Sequence, residues 1–241
     1  MSHMKEMNLP ITITPCPIKD ALLEIRFSTK LNHNAVFGVI YNALRLDFPN
    51  KVESLPILQL PEALRAADPN FRYKPHYKIS NDTIVVQIGP DVLSISSFPK
   101  YIGWEAFSKK IISIIDKVEK LNIIETVNRL GIRYINFFET DIFNEINLKI
   151  CIQEKNINYK NTVIRTEIAH ADFNSTLQIA NNAFSQAISG SIIDIDTFKE
   201  TGLADFFKQK ETIISNGHTK EKELFFSLLK KEFLTSLNPE Y

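Results

Sequence analysis

Alternation of apolar and polar residues defines the first element of the chain. Between positions 21 and 27 one face carries Ala21, Leu23, Ile25 and Phe27, whereas Glu24 and Arg26 lie on the other face with Leu22. A period of two is typical of a strand that is buried on one side. The segment is therefore predicted to be a β-strand.

Two segments of the first half carry apolar residues at helical spacing instead. The shorter one, 36–44, places Val36, Ile40 and Leu44 on one face. The longer one, Trp104–Leu121, has an apolar stripe with lysines and acidic residues beside it, and Trp104 is expected to anchor it in a core. Both are predicted helices, and a short third helix is predicted at 62–67 within a proline-rich stretch.

Further strands are predicted on both sides of the long helix. In the first half they fall at 76–80, 83–88, 92–97 and 126–138. The first three are separated only by turn sequences, Asn81–Asp82 and Gly89–Asp91, which indicates an antiparallel meander. In the second half strands are predicted at 146–153, 162–170, 175–181 and 191–198, and helices at 203–214 and 219–237 with a break at Gly217.

Strands grouped together rather than alternating with helices favour an α+β fold. We expect two mostly antiparallel sheets, each covered by helices and packed as one compact unit. The halves are assigned to residues 8–142 and 143–241, the second ending in a helix pair. No flexible linker separates them near 141–145, so independent movement is not expected.

The composition disfavours nucleic-acid and membrane binding but does not select a function. The 241 residues are 44% hydrophobic and 23% charged, as in an ordinary globular protein. Lys+Arg and Asp+Glu number 28 each, so no global field attracts nucleic acid or an acidic membrane. The chain lacks an apolar run of the roughly 20 residues that cross a bilayer, and a cytoplasmic location and no membrane partner are expected.

The chain carries no familiar catalytic or cofactor motif. Phosphate-loop, dinucleotide-binding, hydrolase-elbow and zinc-protease strings are all missing from it, so neither a cofactor nor a metal is expected. Cys16 and Cys151 are far apart, which disfavours a disulfide or a zinc site. The dispersed histidines are expected to be structural. Asp194 and Asp196 share a strand face and are interpreted as its solvent side rather than as a cation site.

Charged residues inside otherwise apolar strands are the most distinctive feature. Three strands carry such pairs on one face: Glu24 with Arg26, Arg129 with Arg133, and Arg165 with Glu167. Three interpretations are open. The faces are solvated, with weak cross-strand pairs; or the charges form a partly buried network that fixes register; or Arg26, Arg129 and Arg133 converge on a cleft that holds an anion. We expect the six charged residues to belong to one locus.

Four sequence blocks resemble a sporadically distributed bacterial protein family of unknown function. They are Pro17–Phe27, Ile88–Ser94, Tyr101–Phe107 and Arg129–Asn136, in that order along the chain, with Asp20 where the family pattern has Glu. The resemblance implies a bacterial origin and a scattered, mobile gene, but no activity or catalytic residues. Genes of this kind often lie in toxin-antitoxin or phage-defence loci, an association by analogy alone.

Two functions from different classes follow from these observations. We expect a non-catalytic protein-binding or assembly protein that uses an exposed sheet edge or the terminal helix pair, whose apolar residues are Leu224, Phe225, Leu228, Leu229 and Phe233. The partner would be a second copy or another protein. The alternative is a sensor or enzyme that binds a small anion or nucleotide through Arg26, Arg129 and Arg133. Nucleic-acid binding is not expected.

Overall fold

The computed structural model describes residues 9–153, 155–156 and 160–241. The strands are β1 (Ile18–Thr29), β2 (Glu53–Ser54), β3 (Tyr77–Ser80), β4 (Ile84–Ile88), β5 (Val92–Ser97), β6 (Ile124–Phe138), β7 (Cys151–Ile152), β8 (Lys155–Asn156), β9 (Val163–Ala169), β10 (Asn174–Ser185) and β11 (Ile188–Lys199). The helices are α1 (His33–Leu44), α2 (Glu62–Ala67), α3 (Trp104–Glu119), α4 (Phe206–Leu228) and α5 (Lys231–Ser236).

Nine of these strands form one antiparallel sheet, in the order β2-β3-β4-β5-β1-β6-β11-β10-β9. The prediction of two sheets is therefore wrong, although the second, two-stranded ribbon β7-β8 is separate. The long strands β6 and β11 are neighbours, and this pairing joins strands from early and late in the chain. Alternation along a strand identifies its buried face but not the strand beside it, which explains the error.

The chain divides into two compact units, which are described separately. The terminal unit consists of the described residues up to Lys19, Arg133–Thr197 and Asn216–Tyr241. The central unit consists of Asp20–Ile132 and Phe198–Ser215. Each unit draws on residues from both sides of position 142.

The central unit contains the predicted meander. β3, β4 and β5 pair in sequence, and β5 also pairs with β1, with Leu23 opposite Ile95 and Arg26 opposite Val92. The predicted apolar face of β1 is fully buried. α3 buries the stripe that its spacing predicted, namely Phe107, Ile111, Ile114, Ile115 and Val118. β5 and α2 have the predicted bounds.

The core of the terminal unit lies between its strands and the second half of α4. Leu177, Ile179, Ile193 and Ile195 from β10 and β11 pack with Phe225 and Leu229. Leu224, Leu228 and Phe233 pack against the same core as partly buried residues. The apolar residues of the terminal helices therefore belong to the core of their own unit, and they do not provide the exposed interface that we expected from the sequence.

Two element predictions in the second half are wrong. α4 continues through Gly217 and ends at Leu228, since Ile214, Gly217, Glu221 and Phe225 form one buried stripe at helical spacing. An interior glycine weakens a helix by only about 1 kcal/mol, which packing overrides. The strand predicted at 146–153 is reduced to β7 and an isolated bridge between Ile146 and Leu229. The alternation there arises because Ile146 and Leu148 pack on the core.

Within the described residues, no helix combines the length and the apolar character that a membrane span requires.

Candidate functional site

Three of the six predicted site residues meet in the central unit. One carboxylate oxygen of Glu24, Oε1, accepts a hydrogen bond from Arg26 Nε at 2.7 Å and another from Arg129 Nη1 at 3.2 Å. Glu24 and Arg26 are two residues apart on β1, and Arg129 lies on the neighbouring strand β6. We call these three side chains the β1–β6 charge cluster.

Arg129 is the buried member of this cluster. Only 8% of its side chain is exposed, compared with 21% for Glu24 and 32% for Arg26. Its guanidinium carbon lies 4.6 Å from the ring centroid of Phe198, in cation–π contact, and its Nε is 3.8 Å from Glu200 Oε1. A buried guanidinium requires such partners, because an uncompensated buried charge is costly. These contacts favour the second interpretation, a partly buried network.

A neighbouring surface of the central unit, which sequence analysis missed, extends from Arg26. The guanidinium of Arg26 lies 4.7 Å from the ring centroid of Tyr73, and that of Arg72 lies 5.2 Å from the same centroid. Arg72 Nε is also 3.4 Å from Oδ2 of the buried Asp91, and His33 Nε2 is 3.6 Å from Oδ1. Each arginine beside Tyr73 therefore has a carboxylate near it: Glu24 lies beside Arg26, and Asp91 lies beside Arg72.

A tight turn at Gly89–Asp91 lies close to the chain segment that carries Arg72 and Tyr73. Gly89 lies so close to the segment before β3 that an added Cβ would be 2.8 Å from the carbonyl oxygen of Lys74. This approach holds Arg72 and Tyr73 beside the turn that carries Asp91. The sequence signal was the Gly89–Asp91 turn itself, but nothing in the local pattern indicated that Arg72 would lie beside Asp91.

Arg133 has a partner that sequence analysis had placed in solvent. In the terminal unit, Arg133 donates from Nε to Asp194 Oδ1 at 2.8 Å and from Nη2 to Oδ2 at 2.6 Å. This is the bidentate geometry that guanidinium and carboxylate favour. Asp194 is buried, so its interpretation as the solvent side of β11 is wrong. Burial of both faces of the strand explains the difference.

Arg165 and Glu167 lie on β9, the last strand of the sheet, and both are exposed. Strands β11 and β10 separate β9 from β6, on which Arg133 lies. Three strand spacings amount to roughly 14 Å, too far for contact with Arg133. The expectation of one locus for all six residues is therefore wrong.

The free edge of β9 is the second candidate site. Among the residues that the structure describes, β10 is the only strand hydrogen-bonded to β9. Val163, Arg165, Glu167 and Ala169 are all exposed, whereas Ile164 and Ile168 pack against the core of the terminal unit. A strand edge presents unpaired N–H and C=O groups to which another strand can bind. Within the described part of the chain, one backbone edge of β9 is therefore not paired with another strand.

A buried carboxyl group, Glu221, and a partly buried imidazole, His218, lie on α4. Burial raises the pKa of Glu221 to about 8, and burial lowers the pKa of His218 to about 3. His218 Nδ1 is 3.2 Å from the hydroxyl oxygen of Tyr134. Both groups are therefore neutral in the folded protein at pH 7, as expected of core side chains rather than of a charged site.

An open groove of about 550 Å³ lies between α3 and α4 in the central unit. Its lining includes Trp104, Lys109, Asp116, Lys117 and Glu211, so charges of both signs contribute to it. Trp104 is only partly buried and is not the core anchor that the sequence predicted. The described residues contain no cluster of three or more histidine, cysteine or acidic side chains suited to a metal ion.

Neither the family models nor the curated proteins searched for similarity contain a match to this chain.

Proposed function

We propose that this chain is a non-catalytic protein-binding or assembly protein, and that its binding surface is the free edge of β9. The single observation that carries the proposal is the position of β9 at the end of the sheet, with five exposed side chains along seven residues. The opposite edge strand, β2, has only two residues. A partner would add an extended strand to the longer edge through main-chain hydrogen bonds.

The pairing of the strand arginines with carboxylates favours a protein-binding function over an anion-binding one. Glu24 already accepts hydrogen bonds from both Arg26 and Arg129, and Asp194 is bound bidentately by Arg133. An anionic ligand would have to displace these carboxylates from guanidinium groups that they already neutralise. The buried part of the network is thus explained by stability alone.

The proposal is tested by removing one outward-pointing N–H group from the edge. Glu167→Pro removes that donor, and proline is tolerated on an edge strand where the N–H faces away from the sheet. Glu167→Ala is the matched control, because it removes the charge but keeps the N–H. Both proteins are checked for folding by circular dichroism, then tagged and isolated from the native host.

We expect a bound chain, either a second copy or another protein, to be retained by the wild type, retained by Glu167→Ala at most modestly more weakly, and lost from Glu167→Pro. Retention by the folded proline variant would contradict the proposal. So would isolation of the wild-type protein with no bound chain.

Binding of a small anion or nucleotide is a second candidate. One observation favours it: Arg26 and Arg72 both lie against the ring of Tyr73, which gives a cationic and aromatic surface. A nucleotide that binds there should raise the melting temperature of the wild type by mass action. The increase should disappear in Arg72→Ala, and absence of an increase with any nucleotide would remove this candidate.

The bacterial family resemblance and its association with mobile defence or toxin-antitoxin loci form part of the same proposal. The neighbourhood of the gene tests them directly. A neighbouring gene that encodes a toxin, nuclease or phage-sensing protein would support an accessory role. A neighbourhood of housekeeping genes would contradict it.

A further inference from the structure

The hydrogen-bond register between β9 and β10 determines which backbone groups of β9 are outward. At one end, His170 N–H donates to Phe173 O at 2.8 Å; at the other, Asn181 N–H donates to Thr162 O at 3.2 Å. Between these ends Thr166 is opposite Leu177. Hydrogen-bonded residues alternate in an antiparallel ladder, so the even-numbered residues from 162 to 170 bind β10.

The odd-numbered residues of β9 therefore direct their N–H and C=O groups toward the free edge. They are Val163, Arg165, Glu167 and Ala169, all with exposed side chains. A second strand can form a ladder with β9 only in a register that places its own outward residues opposite these four. Half of all conceivable registers are excluded by this condition.

The side chains of β9 are self-complementary in one of the remaining registers. If two copies of β9 run antiparallel with Thr166 opposite Thr166, Arg165 of each copy lies opposite Glu167 of the other. Val163 then lies opposite Ala169, and Ile164 opposite Ile168. Both charged pairs fall at outward-facing positions, so backbone bonding and charge pairing require the same register.

We propose that β9 binds β9 of a second copy of this chain, antiparallel and centred on Thr166. The inference rests on the proposed function of the β9 edge and names its partner. The complex is a dimer with two-fold symmetry in which the sheet continues from one copy into the next. About eight backbone hydrogen bonds form across the axis, two from each of four outward-facing residue pairs.

Neighbouring registers of the same kind do not have this complementarity. A pairing centred on Arg165 places two arginines opposite each other, and one centred on Glu167 places two glutamates opposite each other. Directly opposed like charges destabilise a strand pair. The charge pattern thus selects the Thr166-centred dimer and disfavours slipped, open-ended association.

Charge reversal tests both the contact and its register. Arg165→Glu places the new carboxylate opposite Glu167 of the other copy at two symmetric positions, and Glu167→Arg opposes two arginines in the same way. Each single variant should dimerise at least about tenfold more weakly than the wild type. The double variant R165E/E167R restores opposite charges at both positions and should recover the wild-type dissociation constant.

An equimolar mixture of the two single variants gives the sharpest result. In a mixed pair all charges are again opposite, so the mixture should form a heterodimer at concentrations where each variant alone is monomeric. Sedimentation velocity measures the mass and the dissociation constant in every case. Circular dichroism and melting temperature confirm that the single variants are folded.

The outcomes separate this inference from the proposed function. A monomeric wild type at all concentrations, or a dimer that charge reversal leaves unchanged, overturns the β9–β9 dimer. If the dimer is overturned but the wild type binds a different protein from the native host and Glu167→Pro loses it, the β9 edge remains the binding surface. If Glu167→Pro loses no bound protein, both proposals fail.

Discussion

Individual charged residues of this sheet are paired where they are buried. Arg129 lies against Phe198 and donates to Glu24, and the buried Asp194 accepts hydrogen bonds from Nε and Nη2 of Arg133. Arg165 and Glu167, by contrast, are exposed on the edge strand. Arginine and carboxylate side chains therefore stabilise the fold where they are buried, and they remain exposed to solvent at the edge strand.

Removal of the Arg129 side chain should destabilise the fold. Arg129→Ala leaves a partly buried Glu24 with one partner fewer and exposes the ring of Phe198, so we expect a loss of about 3 kcal/mol in the free energy of unfolding. Urea denaturation measures it. Arg26→Ala is the control; because this side chain is a third exposed, its loss should stay below about 1 kcal/mol. Equal losses would contradict the structural role of Arg129.

The buried carboxyl of Glu221 should make stability depend on pH. Its pKa is raised to about 8 in the folded protein, from an ordinary value of 4.5. The folded state therefore holds its proton more tightly, and the stability that this contributes is full below pH 4.5 and is lost as pH rises to 8. His218, with its pKa lowered from 6.5 to about 3, has the opposite effect, losing stability as pH falls through that interval.

Glu221→Gln removes the ionisable group and keeps the shape. Relative to the wild type, we expect this variant to gain stability between pH 4.5 and 8, by an amount on the order of a few kcal/mol. Below pH 4 the difference should be constant, which serves as the internal control. Urea denaturation across this range measures the effect, and a difference independent of pH would show that Glu221 is not buried as described.

At the scale of elements, the strands and helices form largely where periodicity predicts them. The exceptions have tertiary causes. The alternating residues from Ile146 pack on a core rather than pair in a ladder, and α4 continues through Gly217 because the buried stripe does. Close approach of β11 to β6 is a further tertiary constraint, since a Cβ at Gly190 would lie 2.6 Å from the ring of Phe137.

Two glycine substitutions should have effects of opposite sign. Gly190→Ala forces the added methyl against β6, including the carbonyl oxygen of Phe138, and should destabilise the protein by about 1–3 kcal/mol. Gly38 lies inside α1 with open space around its Cβ position, so Gly38→Ala should stabilise it by about 0.5–1 kcal/mol. Thermal and urea denaturation compare them. A tolerated alanine at 190 would contradict the close strand contact.

At the scale of the whole molecule, positive and negative residues are equal in number, 28 of each. A balanced chain does not attract polyanions over long range, so a protein partner of the kind proposed would be recognised by local contacts. The β9 edge meets this requirement, because its recognition uses backbone hydrogen bonds and two short-range charge pairs.

The charge balance predicts weak binding to polyanions. The wild-type protein should elute from heparin at or below physiological ionic strength, about 0.15 M, since it neutralises few phosphate-like groups. Chromatography at several salt concentrations measures this directly. Strong retention with a steep salt dependence would instead indicate a nucleic-acid partner.

Local periodicity in the sequence is sufficient to predict the strand faces and the helical stripes. β5 and α2 have their predicted bounds, and the buried faces of β1 and α3 are those that the spacing indicated. These features depend on neighbours within a few residues, so local periodicity contains them. The pairing of Glu24 with Arg26 can be predicted from the sequence for the same reason, since the two residues share a face of one strand.

The order of the strands in the sheet, by contrast, is set by long-range contacts that local periodicity does not contain. The tertiary structure joined β6 to β11 and made one sheet where two were predicted, buried Asp194 against Arg133, and left β9 at the edge. Strand order depends on contacts between residues far apart in the chain, and alternation is the same whichever strand lies alongside. The position of Arg165 and Glu167 on a free edge, on which the dimer proposal depends, follows from that order alone.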